Sequence, residues 1–99
     1  MGVKISNDHV PVISINGRMD TGNTIIFEEA IAPLLKSPTK DMIIDGSDLE
    51  YISSSGLRQF LVLQKNIKEK NGSLKVRNLR AEIKDIFDLT GFTNIFTTE

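Results

Sequence analysis

The sequence predicts a mixed α/β domain: a mostly parallel sheet of four or five strands, opened by an N-terminal antiparallel hairpin strand, with helices packed on it in the order β-β-α-β-α-β-α-β. Three observations carry that expectation. The apolar periodicity changes several times along the chain, between alternation and helical spacing. After the first hairpin, short apolar runs alternate with amphipathic stretches, which implies right-handed crossovers between parallel strands. The 99 residues contain no internal repeat, low-complexity segment or linker, so 1–99 reads as one domain. A chain of this length buries roughly 60–65% of the surface it exposes when unfolded, enough for one core.

Each element has a local reason. Val3-Lys4-Ile5 and the alternating Val10–Asn16 segment are β-branched strand candidates, and Asn7-Asp8 between them has turn chemistry. Gly17-Arg18-Met19-Asp20 ends the second strand, and Thr21 or Asn23 can cap a helix beginning near Thr24. Its apolar stripe is Ile26, Phe27, Ala30, Ile31, Leu34 and Leu35. Pro33 conflicts with a helix interior and predicts a kink or an altered last turn. Met42-Ile43-Ile44 is too short for a helix and reads as a central strand, after which Asp45-Gly46-Ser47-Asp48 turns the chain. A second helix starts at the serine run and continues to about Lys70, burying Leu57, Phe60, Leu61, Leu63 and Ile67, with Asn71-Gly72 as its stop. Leu74-Lys75-Val76 is the next strand. A third helix from about Arg80 presents Ile83, Ile86 and Phe87 and ends at Gly91, and Asn94-Ile95-Phe96 is a final edge strand.

Composition removes several function classes. Twelve Lys and Arg stand against 13 Asp and Glu, a net charge of -1, so nothing points to nucleic acid or an anionic membrane. Cysteine is absent, which excludes disulfides, Cys-ligated zinc and thiol catalysis and is compatible with a cytoplasmic location. No stretch approaches the ~20 apolar residues of a membrane span, and no signal peptide is expected. Gly2 and Ser6 match the loose N-myristoylation pattern, which is frequent by chance. The only histidine is His9, in the first hairpin. No G-x-S-x-G elbow or phosphate-binding glycine loop is present, so neither a serine hydrolase nor a nucleotide-binding module is expected. Asp45, Asp48 and Glu50 lack EF-hand spacing, and no metal, cofactor or catalytic residue is expected. Lys65, Lys68, Lys70 and Lys75 read as a solvated face.

The unusual segment is Asp45–Arg58, DGSDLEYISSSGLR. Three consecutive serines lie between an apolar strand and an amphipathic helix. Capping explains one of them, and Gly56 in the first turn weakens the helix with no packing reason visible in the sequence. One reading is a polar capped loop. The other is an exposed serine open to modification, since a phosphate there adds about -1.5 to -2 charge where helix N–H groups favour it.

This segment resembles the STAS domain of anti-sigma factor antagonists. Asn16-Gly17-Arg18-Met19-Asp20 is similar to the family's Gly-x-(Leu or Met)-Asp corner, and Ile86-Phe87-Asp88-Leu89-Thr90-Gly91-Phe92 to its apolar helix closing on Gly. The resemblance covers essentially the whole chain and is to a stand-alone member. It implies phosphorylation at Ser54, with Ser53 and Ser55 as runners-up; Ser53 stands where several members carry Asp. Asp20 matches an acidic residue near the phosphorylated serine. The resemblance further implies a soluble monomer or weak dimer in the cytoplasm. Its unphosphorylated form would bind an anti-sigma factor with a GHKL-type serine kinase fold, and a PP2C-type phosphatase would restore it. The docking face would comprise Ser53, Ser55 and Gly56, then Arg58 and Gln59, and the Asp20–Thr21 corner. The alternative is a STAS scaffold or accessory subunit of a stress-sensing or lipid-transport assembly that acts by binding alone.

Overall fold

The alternation that begins at Val10 becomes a strand with Ile13 and Ile15 buried and Ser14 and Asn16 exposed. In the computed structural model, which describes residues 1–7 and 9–99, this is β2 (Pro11–Met19). It pairs antiparallel with β1 (Gly2–Asn7), from Gly2 opposite Asn16 to Asn7 opposite Pro11. Asp8, half of the expected turn, lies outside the described residues. The remaining elements follow the expected alternation: α1 (Thr24–Lys36), β3 (Asp41–Ile52), α2 (Ser54–Glu69), β4 (Ser73–Arg77), α3 (Ala81–Thr90) and β5 (Thr97–Thr98). A single 3₁₀ turn, Phe92–Asn94, precedes β5.

The five strands lie in chain order, and all pairings after the first are parallel. With that order, right-handed crossovers put all three helices on one face. The burial pattern agrees: Ile13, Ile15, Met42, Ile44, Leu74 and Val76 point into the core, whereas Ser14 and Lys75 on the other face are exposed. Phe60 of α2 lies at the centre of the core, with its ring 5.5 Å from Phe27, 6.2 Å from Phe87 and 6.3 Å from Phe96. One aromatic side chain thus joins all three helices to the C-terminal segment.

Several expectations are corrected. Asp45–Asp48 is not a turn: β3 continues through it to Ile52. The chain stays extended because β2 also runs on to Met19, so both strands keep a partner. Two bulges absorb the turn-type residues. Ser14 and Asn16 face Asp45 and Asp48, and Gly17 and Arg18 face Leu49 and Tyr51, so β3 carries an extra residue each time. Ile26 is exposed rather than part of the α1 stripe; Phe27 and Ile31 are the buried residues. The last strand begins at Thr97, because Phe96 turns inward as a buried anchor.

Pro33 lies inside α1, which closes with a tightened last turn: the Ser37 N–H bonds the Leu34 carbonyl at 3.2 Å. Lys70 is not part of a solvated face. Its ammonium donates to the Leu34 and Leu35 carbonyls at 3.2 and 3.3 Å, and Asn66 Nδ2 donates to Leu35 at 3.2 Å. Helix α2 therefore caps the C-terminus of α1, where cations are favoured.

Asp45 anchors the open face. Burial pushes its carboxyl up, but hydrogen bonds from the Ser47 backbone and hydroxyl, the Asn78 amide and the Arg77 guanidinium outweigh this and hold it below its ordinary range. A depressed carboxylate stabilises the fold above the unfolded-state pKa and loses that contribution as pH falls through the folded-state value. Asp45→Asn is therefore expected to cost about 1–2 kcal/mol at pH 7 and progressively less as the solution is acidified below pH ~4, measured by urea denaturation across pH. Phe60→Ala is expected to cost about 3–5 kcal/mol in the same assay at neutral pH, because it empties a shared aromatic site.

Candidate functional site

Strands β2 and β3 run side by side until Met19 faces Ile52. One residue later the Ser53 N–H donates to the Met19 carbonyl at 2.8 Å, a last rung between the two strands. Ser53 is extended, with φ -87° and ψ 171°, and serves as the N-cap of α2. Its hydroxyl accepts the Gly56 N–H at 3.2 Å, and its carbonyl accepts the Leu57 N–H at 2.9 Å. The serine run is thereby divided. Ser53 is 8% exposed and committed to the cap, Ser55 is half-buried, and Ser54 is exposed at the first helical position. Among the described residues, the N–H groups of Ser54 and Ser55 make no hydrogen bond within the protein.

Gly56 has the packing reason that the sequence does not disclose. A Cβ at this position would lie 2.8 Å from Ile52 Cγ1, 3.1 Å from Met19 Cγ and 3.3 Å from the Met19 carbonyl oxygen. The glycine lets the first turn of α2 sit directly on the β2–β3 junction. Ser53 and Gly56, expected on the docking face, are buried at the start of α2. Ser54 and Arg58 are exposed, and Ser55 and Gln59 are half-buried.

The Asp20–Thr21 corner follows Met19 and so borders the start of α2. Asp20 Oδ1 accepts the Gly22 and Asn23 N–H groups, each at 3.1 Å. Asn23 Oδ1 accepts the Asp20 N–H at 2.9 Å, and its Nδ2 donates to the Arg18 carbonyl at 2.7 Å. Asn23, the N-terminal flank of α1, braces the corner rather than capping its helix through its side chain. Thr21 is exposed at the tip. Arg18 lies over the Tyr51 ring, 4.3 Å from its centroid, an arrangement that cross-strand pairing creates and linear sequence hides. His9 is exposed before the opposite end of β2, away from all three serines, which argues against a serine–histidine pair.

The STAS domain family matches residues 3–99. The chain belongs to the STAS domain family. Among curated relatives, the anti-sigma-B factor antagonist of Bacillus subtilis is 32% identical over 89 residues, covering 90% of this chain and 81% of that protein. The crystal structure of an anti-sigma factor antagonist from Mycobacterium paratuberculosis superposes with a TM-score of 0.88 at 22% identity, covering 98% of this chain and 83% of that one. The anti-sigma factor antagonist SpoIIAA in its unphosphorylated form superposes with a TM-score of 0.80 at 15% identity, over 99% of this chain and 88% of its own. SpoIIAA of Bacillus has also been solved phosphorylated, and that form has a TM-score of 0.76. The open-faced sheet and the order of its elements are thus those of STAS domains. Among the described residues, no helix is long and apolar enough to cross a membrane.

The split of the serine run has a direct test in this STAS domain. Ser53→Ala removes the cap and is expected to cost about 1 kcal/mol. Ser54→Ala removes an exposed hydroxyl and should stay within about 0.5 kcal/mol of the parent. Urea denaturation of the two variants side by side checks both values.

Proposed function

We propose that this chain is an anti-sigma factor antagonist whose docking surface is switched by phosphorylation of Ser54. The observation that carries the reading is the position of Ser54, an exposed hydroxyl on the first residue of a helix whose cap is supplied by its neighbour. A modification there alters the surface and leaves every hydrogen bond of the cap intact. The names of the relatives support antagonism, and the two solved forms of SpoIIAA support a phosphorylation switch in such a protein.

On this reading the unphosphorylated chain binds an anti-sigma factor with a GHKL-type serine kinase fold and displaces the sigma factor. The docking surface comprises Ser54, Ser55, Arg58 and Gln59 together with the Asp20–Thr21 corner. The kinase then transfers the γ-phosphoryl group of ATP to Ser54. The Oγ–P bond forms as the bond to ADP breaks, and the hydroxyl proton passes to a base on the kinase. The new dianion must be desolvated wherever the partner covers it and repels acidic groups there. A change of about 1.4 kcal/mol already weakens binding tenfold. A PP2C-type phosphatase hydrolyses the ester and restores the binding form.

Affinity capture from lysate of the source organism, read by mass spectrometry, tests this reading. The parent chain and Ser54→Ala are expected to retain a GHKL-type kinase, and Ser54→Asp to lose at least about tenfold of it. Equal recovery by all three would remove charge at Ser54 as the switch. Recovery of only STAS paralogues or transporter subunits would replace antagonism with a scaffold or accessory role.

A further inference from the structure

Arg58 is an exposed cation on the solvent side of α2, four residues after Ser54. Residues four apart on a helix are surface neighbours, with Cβ atoms about 5–6 Å apart. The other positions within one turn of Arg58 are Ser55, Leu61 and Val62, so the helix itself offers this guanidinium no carboxylate. Among the described residues Arg58 makes no ion pair: the two pairs are Lys75 with Glu99 and Arg77 with Asp45. The charged side chains at the C-terminal end of β2 are engaged elsewhere. The Asp20 carboxylate accepts two backbone N–H groups of its own corner, and Arg18 is stacked on Tyr51. An arginine with a vacant neighbouring position, one turn from an exposed serine, is a cation whose intrahelical partner appears only when that serine is modified.

We propose that Arg58 is the internal counter-charge of phosphorylated Ser54: the guanidinium closes over the phosphate as an i,i+4 ion pair and is thereby withdrawn from the docking surface. The inference rests on Ser54 being the phospho-acceptor. The geometry favours the pair in two ways. An acidic group N-terminal to its basic partner is the better orientation for this spacing, and a negative group in the first turn also complements the helix dipole. Guanidinium and phosphate match as a bidentate pair, which lysine does not reproduce. Phosphorylation then changes the outward face of α2 twice, adding a dianion at Ser54 and removing a free cation at Arg58. It leaves the buried supports, Ser53 and Gly56, where they are.

The test needs no partner protein. Phosphoserine is installed at position 54 during translation in the otherwise native chain and in Arg58→Gln, and the phosphate is titrated by ³¹P NMR. In the native chain its second ionisation, ordinarily near pH ~6, is expected at least about 0.3 pH units lower than in Arg58→Gln. The difference should shrink in molar salt, and Arg58→Lys should recover part of it. Phosphorylation should also raise the melting temperature more in the native chain than in Arg58→Gln. Superimposable titrations of the two phosphoproteins, with circular dichroism showing both folded, would overturn the proposal. Antagonism is decided separately by the capture experiment, so loss of either reading is distinguishable from loss of the other.

Discussion

The hydrogen bond from the Ser53 N–H to the Met19 carbonyl, at 2.8 Å, is the constraint on which the site depends. It is the last rung of the parallel β2–β3 ladder and the first fixed point of α2. Because Ser53 is held extended there, its hydroxyl falls where the Gly56 N–H can reach it, and the helix starts at Ser54 rather than one residue earlier or later. The same bond sets the Asp20 corner beside the helix start, since Asp20 is the next residue after Met19. The closeness of the two strands to the helix leaves no room for a Cβ at position 56. Position, cap and glycine are three consequences of one strand pairing.

That pairing reaches so far only because β3 is longer than its composition advertises. Asp, Gly and Ser are poor strand formers, and Asp45–Asp48 has the chemistry of a turn. Each of these residues is nonetheless accommodated. Asp45 gathers Arg77, Asn78 and the Ser47 N–H, and Gly46 lies against Leu79, whose Cδ2 would be 2.7 Å from a Cβ there. The bulges shift the register so that Leu49 and Ile52 still face the core. Of these partners, Arg77, Asn78 and Leu79 come from the end of β4 and the segment after it, about 30 residues downstream. No local window of sequence contains them, which is why the strand was legible only as far as Ile44.

The order of elements and the apolar core were legible, because alternation and helical spacing report directly which face of an element is buried. Phe27, Ile31, Leu57, Phe60, Leu63 and Ile67 all followed from spacing alone, and all are buried. Ile26 did not conform: spacing admits it to the stripe, but it is 40% exposed, while Phe27 in the same turn is fully buried. Polar residues were the harder class. Gln64 is 8% exposed and donates to the Ile95 carbonyl at 3.0 Å, tying α2 to the C-terminal segment. Lys70 and Asn66 cap α1 from α2. Their partners are backbone carbonyls, which carry no residue identity for a sequence pattern to detect.

The three serines illustrate the same division at the site. By composition they are interchangeable hydroxyls, and the only clue separating them is their order along the chain. Folding makes them different chemical objects. Ser53 is buried and hydrogen-bonded, so a phosphate on it would destroy the cap and drive a dianion into the β2–β3 junction, with a large desolvation cost. Ser55 is half-buried. Ser54 alone combines an exposed hydroxyl with free N–H groups at its own and the following residue, and with a cation one turn away. A charge added there meets favourable electrostatics inside the domain, and the unfavourable consequence falls on whatever is docked outside it. On the proposed reading, a phosphate at Ser54 would change the outer surface without breaking the cap, because the cap's hydrogen bonds join Ser53 to Gly56 and Leu57 and do not involve the Ser54 hydroxyl.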